Sequence, residues 1–186
     1  MGARVPGRRW SGWHDDEMVA HRLVVARHAK SDWPAGVADH DRPLGRRGQR
    51  DAEAAGRWLA EHTGVPDLVW CSTARRTRET WEHLELGLGA TPPVRFDHRL
   101  YDADVSDLLD VVHDSPPEAG CVLVVGHNPG VQQLVLALAE RGSDDARALA
   151  AAKYPTSALA VLEVDGPWVG VGAGAAVLAE FAVPRG

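Results

Sequence analysis

Three short stretches hold the side chains most able to do chemistry. Arg27 and His28 follow the apolar run 23–26, Arg75, Arg76 and Arg78 follow 68–71, and Gly126 and His127 follow 122–125. Each is an apolar segment of strand length that ends in guanidinium or imidazole groups. One Arg-His pair after a strand is ordinarily a solvated loop; it is the repetition that gives the pattern weight. Arginine matches phosphate oxygens with a planar fork of donors. Two histidines and at least two arginines around one pocket therefore predict a cationic site that binds phosphate. His127 also precedes an expected helix N-terminus, where exposed N–H groups and the helix dipole favour an anion. That field opposes protonation of His127, whereas a bound phosphate favours it.

These groups meet only if their strands lie parallel in one sheet. Residues 23–26, 68–71 and 121–125 read as buried strands, and 91–96 contains a short fourth one. Between them the spacing predicts helices over Arg46–His62, with Gly45 as N-cap, over 72–88 and over 105–114. A further helix starts with Asn128 as N-cap and Pro129 in first position, with Val131, Leu134, Val135 and Leu138 on one stripe. Residues 157–164 and 176–183 read as an antiparallel hairpin at one side of the sheet. The fold class is thus α/β: a three-layer α/β/α domain with a mostly parallel sheet, right-handed crossovers and an antiparallel edge strand or hairpin. In such a sheet all three cationic stretches leave at the C-terminal strand ends, where ligands bind.

At 186 residues and 45% apolar content the chain suits one well-buried domain, expected over 21–186. Residues 1–20 show no periodicity and read as a disordered N-terminal tail, with Met18 an alternative start. A net charge of −6 disfavours a general nucleic-acid binder. Two cysteines, Cys71 and Cys121, exclude a disulfide framework and are expected as free thiols at opposite ends of their strands. No run has the length of a membrane span and no signal-peptide centre is present, so a cytoplasmic protein is expected.

The motifs also resemble a known family, the histidine phosphatase superfamily, whose signature is Arg-His-Gly after the first strand and here reads Arg27-His28-Ala29. The resemblance is to small members of the phosphohistidine phosphatase type, those like SixA, and runs over residues 23–183. It includes R-P-L and the following glycine within 42–48, Ser72, Arg76 and Thr80 as S-x-x-x-R-x-x-x-T, L-Y-D-A at 100–103, G-H-N-P-G at 126–130 and T-S-A at 156–158. It implies a phosphoglycerate mutase-like fold and no cofactor or metal. His28 would attack phosphorus and become a phosphohistidine, while Arg27, Arg76 and His127 hold the transferring phosphoryl group. Spacing from Ser72 favours Arg76 over Arg75. Ala29, Gly45 and Thr77 depart from the usual Gly, Thr and Ala, but all are small, so the pocket should survive.

Relatives that cleave alkyl phosphates carry a Glu near the L-Y-D-A position as proton donor, and the nearest carboxylate here is Asp102, which also reads as an ordinary turn aspartate. A P–N bond to imidazole needs less help from an acid than an alkoxide does, since imidazole protonates readily near neutral pH. The expected substrate is therefore phosphohistidine on a protein. The alternatives are a small phosphate ester, turned over by a phosphomonoesterase or mutase of the same superfamily, and a phosphate-binding module without turnover. Asp39, His40 and Asp41 are adjacent and so poorly placed to share one metal ion. Trp33 follows His28 in its loop and is expected to wall the pocket; the other histidines read as surface or satisfied polar residues.

Overall fold

The computed structural model describes residues 21–142 and 144–186, so the tail expected over 1–20 lies outside the described residues. The strands are β1 (His21–Arg27), β2 (Leu68–Ser72), β3 (Val94–Asp97), β4 (Cys121–Gly126), β5 (Ala139–Gly142), β6 (Leu159–Val164) and β7 (Ala176–Ala182). The helices are α1 (Arg46–His62), α2 (Arg75–Leu88), α3 (Val105–His113), α4 (Gly130–Leu138) and α5 (Asp144–Ala152). The strands form one sheet in the order β3-β2-β4-β1-β6-β7-β5. Neighbours pair in parallel except at β6, which is antiparallel to both β1 and β7.

Alternation along the buried strands supplies both faces of the sheet. Leu23 and Val25 of β1 join Val122 and Val124 of β4 against α3, α4 and α5, where Leu108, Val112, Leu134, Val135 and Ala150 are buried. Val24 and Ala26 join Leu123 and Val125 on the other face against Ala55 and Leu59 of α1 and Trp81 and Leu84 of α2. The α/β/α layering expected from the sequence is therefore present. Two glycines let α1 and α2 touch backbone to backbone: a Cβ on Gly56 would overlap the Leu84 carbonyl, and one on Gly87 the Glu53 carbonyl.

Two helix starts and one edge of the sheet differ from the sequence expectation. Ser72 completes β2 instead of opening α2, which begins at Arg75 after Thr77 Oγ1 closes the turn by donating to the Ser72 carbonyl at 2.8 Å. Pro129 is the N-cap of α4, and Asn128 lies outside the helix because its amide is engaged elsewhere, donating to Gln132 Oε1 at 3.2 Å and the Tyr154 carbonyl at 3.3 Å. The β6–β7 hairpin forms, but β5 pairs with β7 and takes the edge. Neither β5 nor α5 was expected. Cys71 and Cys121 are free and lie at opposite ends of the neighbouring strands β2 and β4.

Gly56→Ala should destabilise the domain by about 1–3 kcal/mol, because a methyl has no room between two closely packed helices. Urea denaturation measures this; an unchanged midpoint would mean that α1 and α2 do not meet as described.

Candidate active site

The parallel pairing of β1 with β4 sets Arg27 opposite Gly126, so the next residue of each strand emerges at the same level. His28 and His127 consequently stand side by side, ring centroids 5.2 Å apart. The backbone N–H of His28 donates to the Gly126 carbonyl at 3.0 Å and fixes the pair. β2, on the other side of β4, brings Arg76 to the same rim from the first turn of α2. Arg27, His28, Lys30, Ser31, Trp33, Arg42, Arg76, His127, Asn128 and Thr156 line a pocket of about 300 Å³. Arg27, His28, Arg76 and His127 thus converge, whereas Arg75 and Arg78 do not line this pocket and Asp102 lines an adjoining one.

Hydrogen bonds set the imidazole tautomers. His28 Nδ1 lies 2.8 Å from the Ala29 carbonyl, which can only accept, so Nδ1 carries the proton and Nε2 keeps its lone pair. His127 Nε2 lies 2.9 Å from Ser72 Oγ, a fully buried hydroxyl oxygen that already accepts from the Ala74 N–H at 3.5 Å and whose own proton therefore needs an acceptor. The hydroxyl donates to Nε2, which places the proton of His127 on Nδ1. That nitrogen is buried and has no partner among the described residues. Burial above all, reinforced by Arg76, Arg27 and Arg42, pushes His28 down to about 3. Burial, then His28 and Arg76, does the same to His127, also to about 3. Both rings are neutral near pH 7, one as a nucleophile and the other as an N–H donor.

The arginines are anchored from behind with donors to spare. Arg27 Nη1 donates to the Tyr154 carbonyl at 2.7 Å and Arg76 Nη1 to the Asp39 carbonyl at 2.7 Å. The buried Nε of each finds no acceptor among the described residues. Arg75, the neighbour of Arg76, is 51% exposed and paired with Glu79 at 2.6 Å, outside the pocket.

Three participants escaped the sequence reading. Arg42 is buried under the Trp33 indole, its guanidinium carbon 3.1 Å from the ring centroid, and donates to Ser31 Oγ at 2.6 Å. Asp39 bridges Arg42 at 2.8 Å and Arg76 at 3.0 Å and accepts from the Tyr101 hydroxyl at 2.9 Å. The Arg42 hydrogen bond above all holds its carboxyl down at about 2. Thr80, seen only as part of a motif, accepts from the Ala29 N–H at 3.0 Å and donates to the Arg76 carbonyl at 2.6 Å, tying the loop after His28 to α2. Arg42 carried only the signal of the R-P-L tripeptide and Asp39 only that of a poorly placed metal ligand, since their contacts arise only when the loop folds back.

Asp102 is exposed and lies in an adjoining pocket of about 360 Å³ with Asp39, Arg76, Tyr101, His127 and Asn128. Its backbone is left-handed, φ 56°. Among the described residues no cluster of three or more His, Cys, Asp or Glu side chains is arranged to hold a metal ion. His40 bonds Thr73 instead, at 3.1 Å.

The profile of the histidine phosphatase superfamily (branch 1) matches residues 23–119. Rv1276c, an uncharacterized protein of Mycobacterium tuberculosis, is 42% identical over 161 residues, spanning 86% of this chain and 99% of its own. A candidate phosphohistidine phosphatase SixA from Nakamurella multipartitia is 34% identical with a TM-score of 0.79, over 89% of this chain and 96% of its own. The corresponding candidate from Agrobacterium tumefaciens is 29% identical with a TM-score of 0.74, over 88% and 98%.

Unfolded, both imidazoles would protonate near 6.5, but in the folded protein they resist to about 3. The unfolded state then binds more protons between those values, so these two residues make stability fall as pH drops through that window. Nitrogen-detected NMR should show both rings neutral from pH 8 to 5, with the proton on Nδ1 in each. A titration midpoint near 6.5 for either ring would contradict the site as described.

Proposed function

Because this chain belongs to the histidine phosphatase superfamily (branch 1) and is a phosphatase, we propose that its substrate is phosphohistidine on a partner protein and that hydrolysis passes through phosphorylated His28. The observation that carries the proposal is His28, whose Nδ1 is held by the Ala29 carbonyl so that Nε2 keeps a free lone pair, in a pocket that Arg27, Arg76 and His127 also line. An imidazole in that state is a competent nucleophile. Its target is an electron-rich phosphoryl group, whose equatorial oxygens gain from fixed positive donors in the transition state. Water then hydrolyses phosphorylated His28 and restores the enzyme.

The acidic groups favour a P–N bond over an alkyl ester. Asp39 is held ionised by Arg42 and so has no proton to give near neutral pH. Asp102, the expected donor, stands exposed in the adjoining pocket. Alkoxide departure wants a well-placed acid, whereas imidazole leaves without one. Trp33, 74% exposed at the rim, leaves the mouth open enough for a side chain presented by another protein. A cytoplasmic setting, where free thiols stay reduced, belongs to the same proposal. Small phosphomonoesters are the next substrates to try.

Phosphate release from a phosphohistidine-bearing protein domain tests the assignment. His28→Ala should abolish turnover. Arg76→Ala should lower kcat by roughly 100- to 1000-fold, the scale of losing one transition-state donor, and Arg75→Ala should leave it nearly unchanged. Equal losses at Arg75 and Arg76, or full activity without His28, would refute the proposed roles.

A further inference from the structure

The segment between α5 and β6, residues 153–158, grips the end of β1 from the side away from β4. Ser157 donates its N–H to the carbonyls of Arg27 at 3.2 Å and His28 at 3.1 Å, and the Tyr154 carbonyl accepts from Arg27 Nη1 at 2.7 Å. Arg27 is therefore held at both its main chain and its guanidinium. Thr156, between these two contacts, lines the pocket of the nucleophile. What fixes the segment in turn is a buried carboxylate on α1 that the chemistry does not use. Asp51 is 1% exposed, and its main-chain carbonyl accepts from Ser157 Oγ at 3.1 Å. Its side chain accepts from Arg185 Nη1 at 2.9 Å and from the Gly186 N–H at 3.3 Å. The same Arg185 nitrogen donates to the Thr156 carbonyl at 3.0 Å. One guanidinium thus joins α1 to the wall of the pocket. Arg47 also approaches Asp51, at 3.4 Å, from a side chain that is 63% exposed.

We propose that Asp51 and Arg185 are positioning residues of the phosphatase: by clamping Thr156 and Ser157 to α1 they fix where Arg27 stands relative to His28. The proposal rests on the roles given to Arg27 and His28 above, and is independent of the leaving group. Neither member of the clamp lines the pocket. Both act through the segment 153–158. A buried ion pair is a weak source of stability, because desolvation offsets its attraction, so the geometry it imposes is the better account of its presence. Val183 packs against the core and brings the chain to the point where Arg185 can reach inward. Positioning errors of about 1 Å cost roughly two orders of magnitude in rate when the displaced group must meet a reacting atom. Because Arg27 gains most from charge that develops in the transition state, loosening it lowers kcat and spares KM.

The test is a double-mutant cycle between the clamp and Arg27, run well below the unfolding temperature of every variant. Arg185→Ala should lower kcat on p-nitrophenyl phosphate roughly 10-fold and change KM less than about twofold, as expected when a group that acts in the transition state is misplaced. Arg185→Lys, which returns a cation to Asp51, should recover most of the loss. Asp51→Asn, which keeps the shape of the side chain, carries the same expectation as Arg185→Ala. In an Arg27→Ala background Arg185→Ala should cost less than about twofold, since the guanidinium that the clamp positions is gone. Calorimetric binding of vanadate, a mimic of five-coordinate phosphorus, reads the same ratios without turnover. Full kcat and vanadate affinity in Arg185→Ala, or equal losses with and without Arg27, would reduce the clamp to general support and overturn the inference. A His28→Ala variant that keeps its activity would instead overturn the site roles on which the clamp depends.

Discussion

Burying positive charge around a single pocket is the constraint on which the rest of the structure depends. Arg42 and Arg76 are both largely buried, with Arg27 beside them, and like charges in a poorly hydrated space repel strongly. Asp39 neutralises two of the guanidinium groups at once, and backbone carbonyls hold Arg27 and Arg76 from behind. Burial above all, with the same positive field behind it, keeps His28 and His127 uncharged. What repels a proton makes the imidazole a nucleophile. A phosphoryl dianion is the ligand that relieves this balance, and its arrival gives Arg42 and Arg76 a second anion to share with Asp39.

Strand pairing supplies the geometry that electrostatics alone cannot. The register of β1 against β4 makes His28 and His127 neighbours, and β2 beside β4 delivers Ser72 to one ring and Arg76 to the pocket. Ser157, left-handed at φ 64°, donates its N–H to the carbonyls of Arg27 and His28 and closes the far side of the strand end. His28, Ser72, His127 and Arg76 stand at strand ends or the start of α2, while Asp39 and Arg42 come from the segment between β1 and α1. Rigidity at strand ends suits chemistry that relies on positioning and charge.

Much of this was legible in the sequence because it follows from local pattern. Apolar runs ending at Arg27, Ser72 and Gly126 announce parallel strands, and α1 matches its expected span from Gly45 onward. Spacing from Ser72 in the family motif favoured Arg76 over Arg75 without deciding between them, and the structure puts Arg76 on the pocket and Arg75 outside it. The roles of Asp39 and Arg42 were not legible, since adjacent charges in a Pro- and Gly-containing loop look solvated until the loop folds over the strand ends. Asn128 was misread because its residue type suits a cap, and only the distant Tyr154 carbonyl shows why it serves elsewhere. The short strand β5 has little pattern of its own and exists through pairing with β7. Tertiary contacts, rather than propensity, decided each of these cases.

The most direct measurement is to stop turnover of a phosphohistidine-bearing domain within its first cycle under alkaline conditions and locate the phosphate on the enzyme by peptide mass spectrometry. A near-stoichiometric label on His28, decaying as phosphate is released, is the expected result. Full turnover with no enzyme-bound phosphate, or with the label on His127, would contradict the assignment of His28 as the nucleophile.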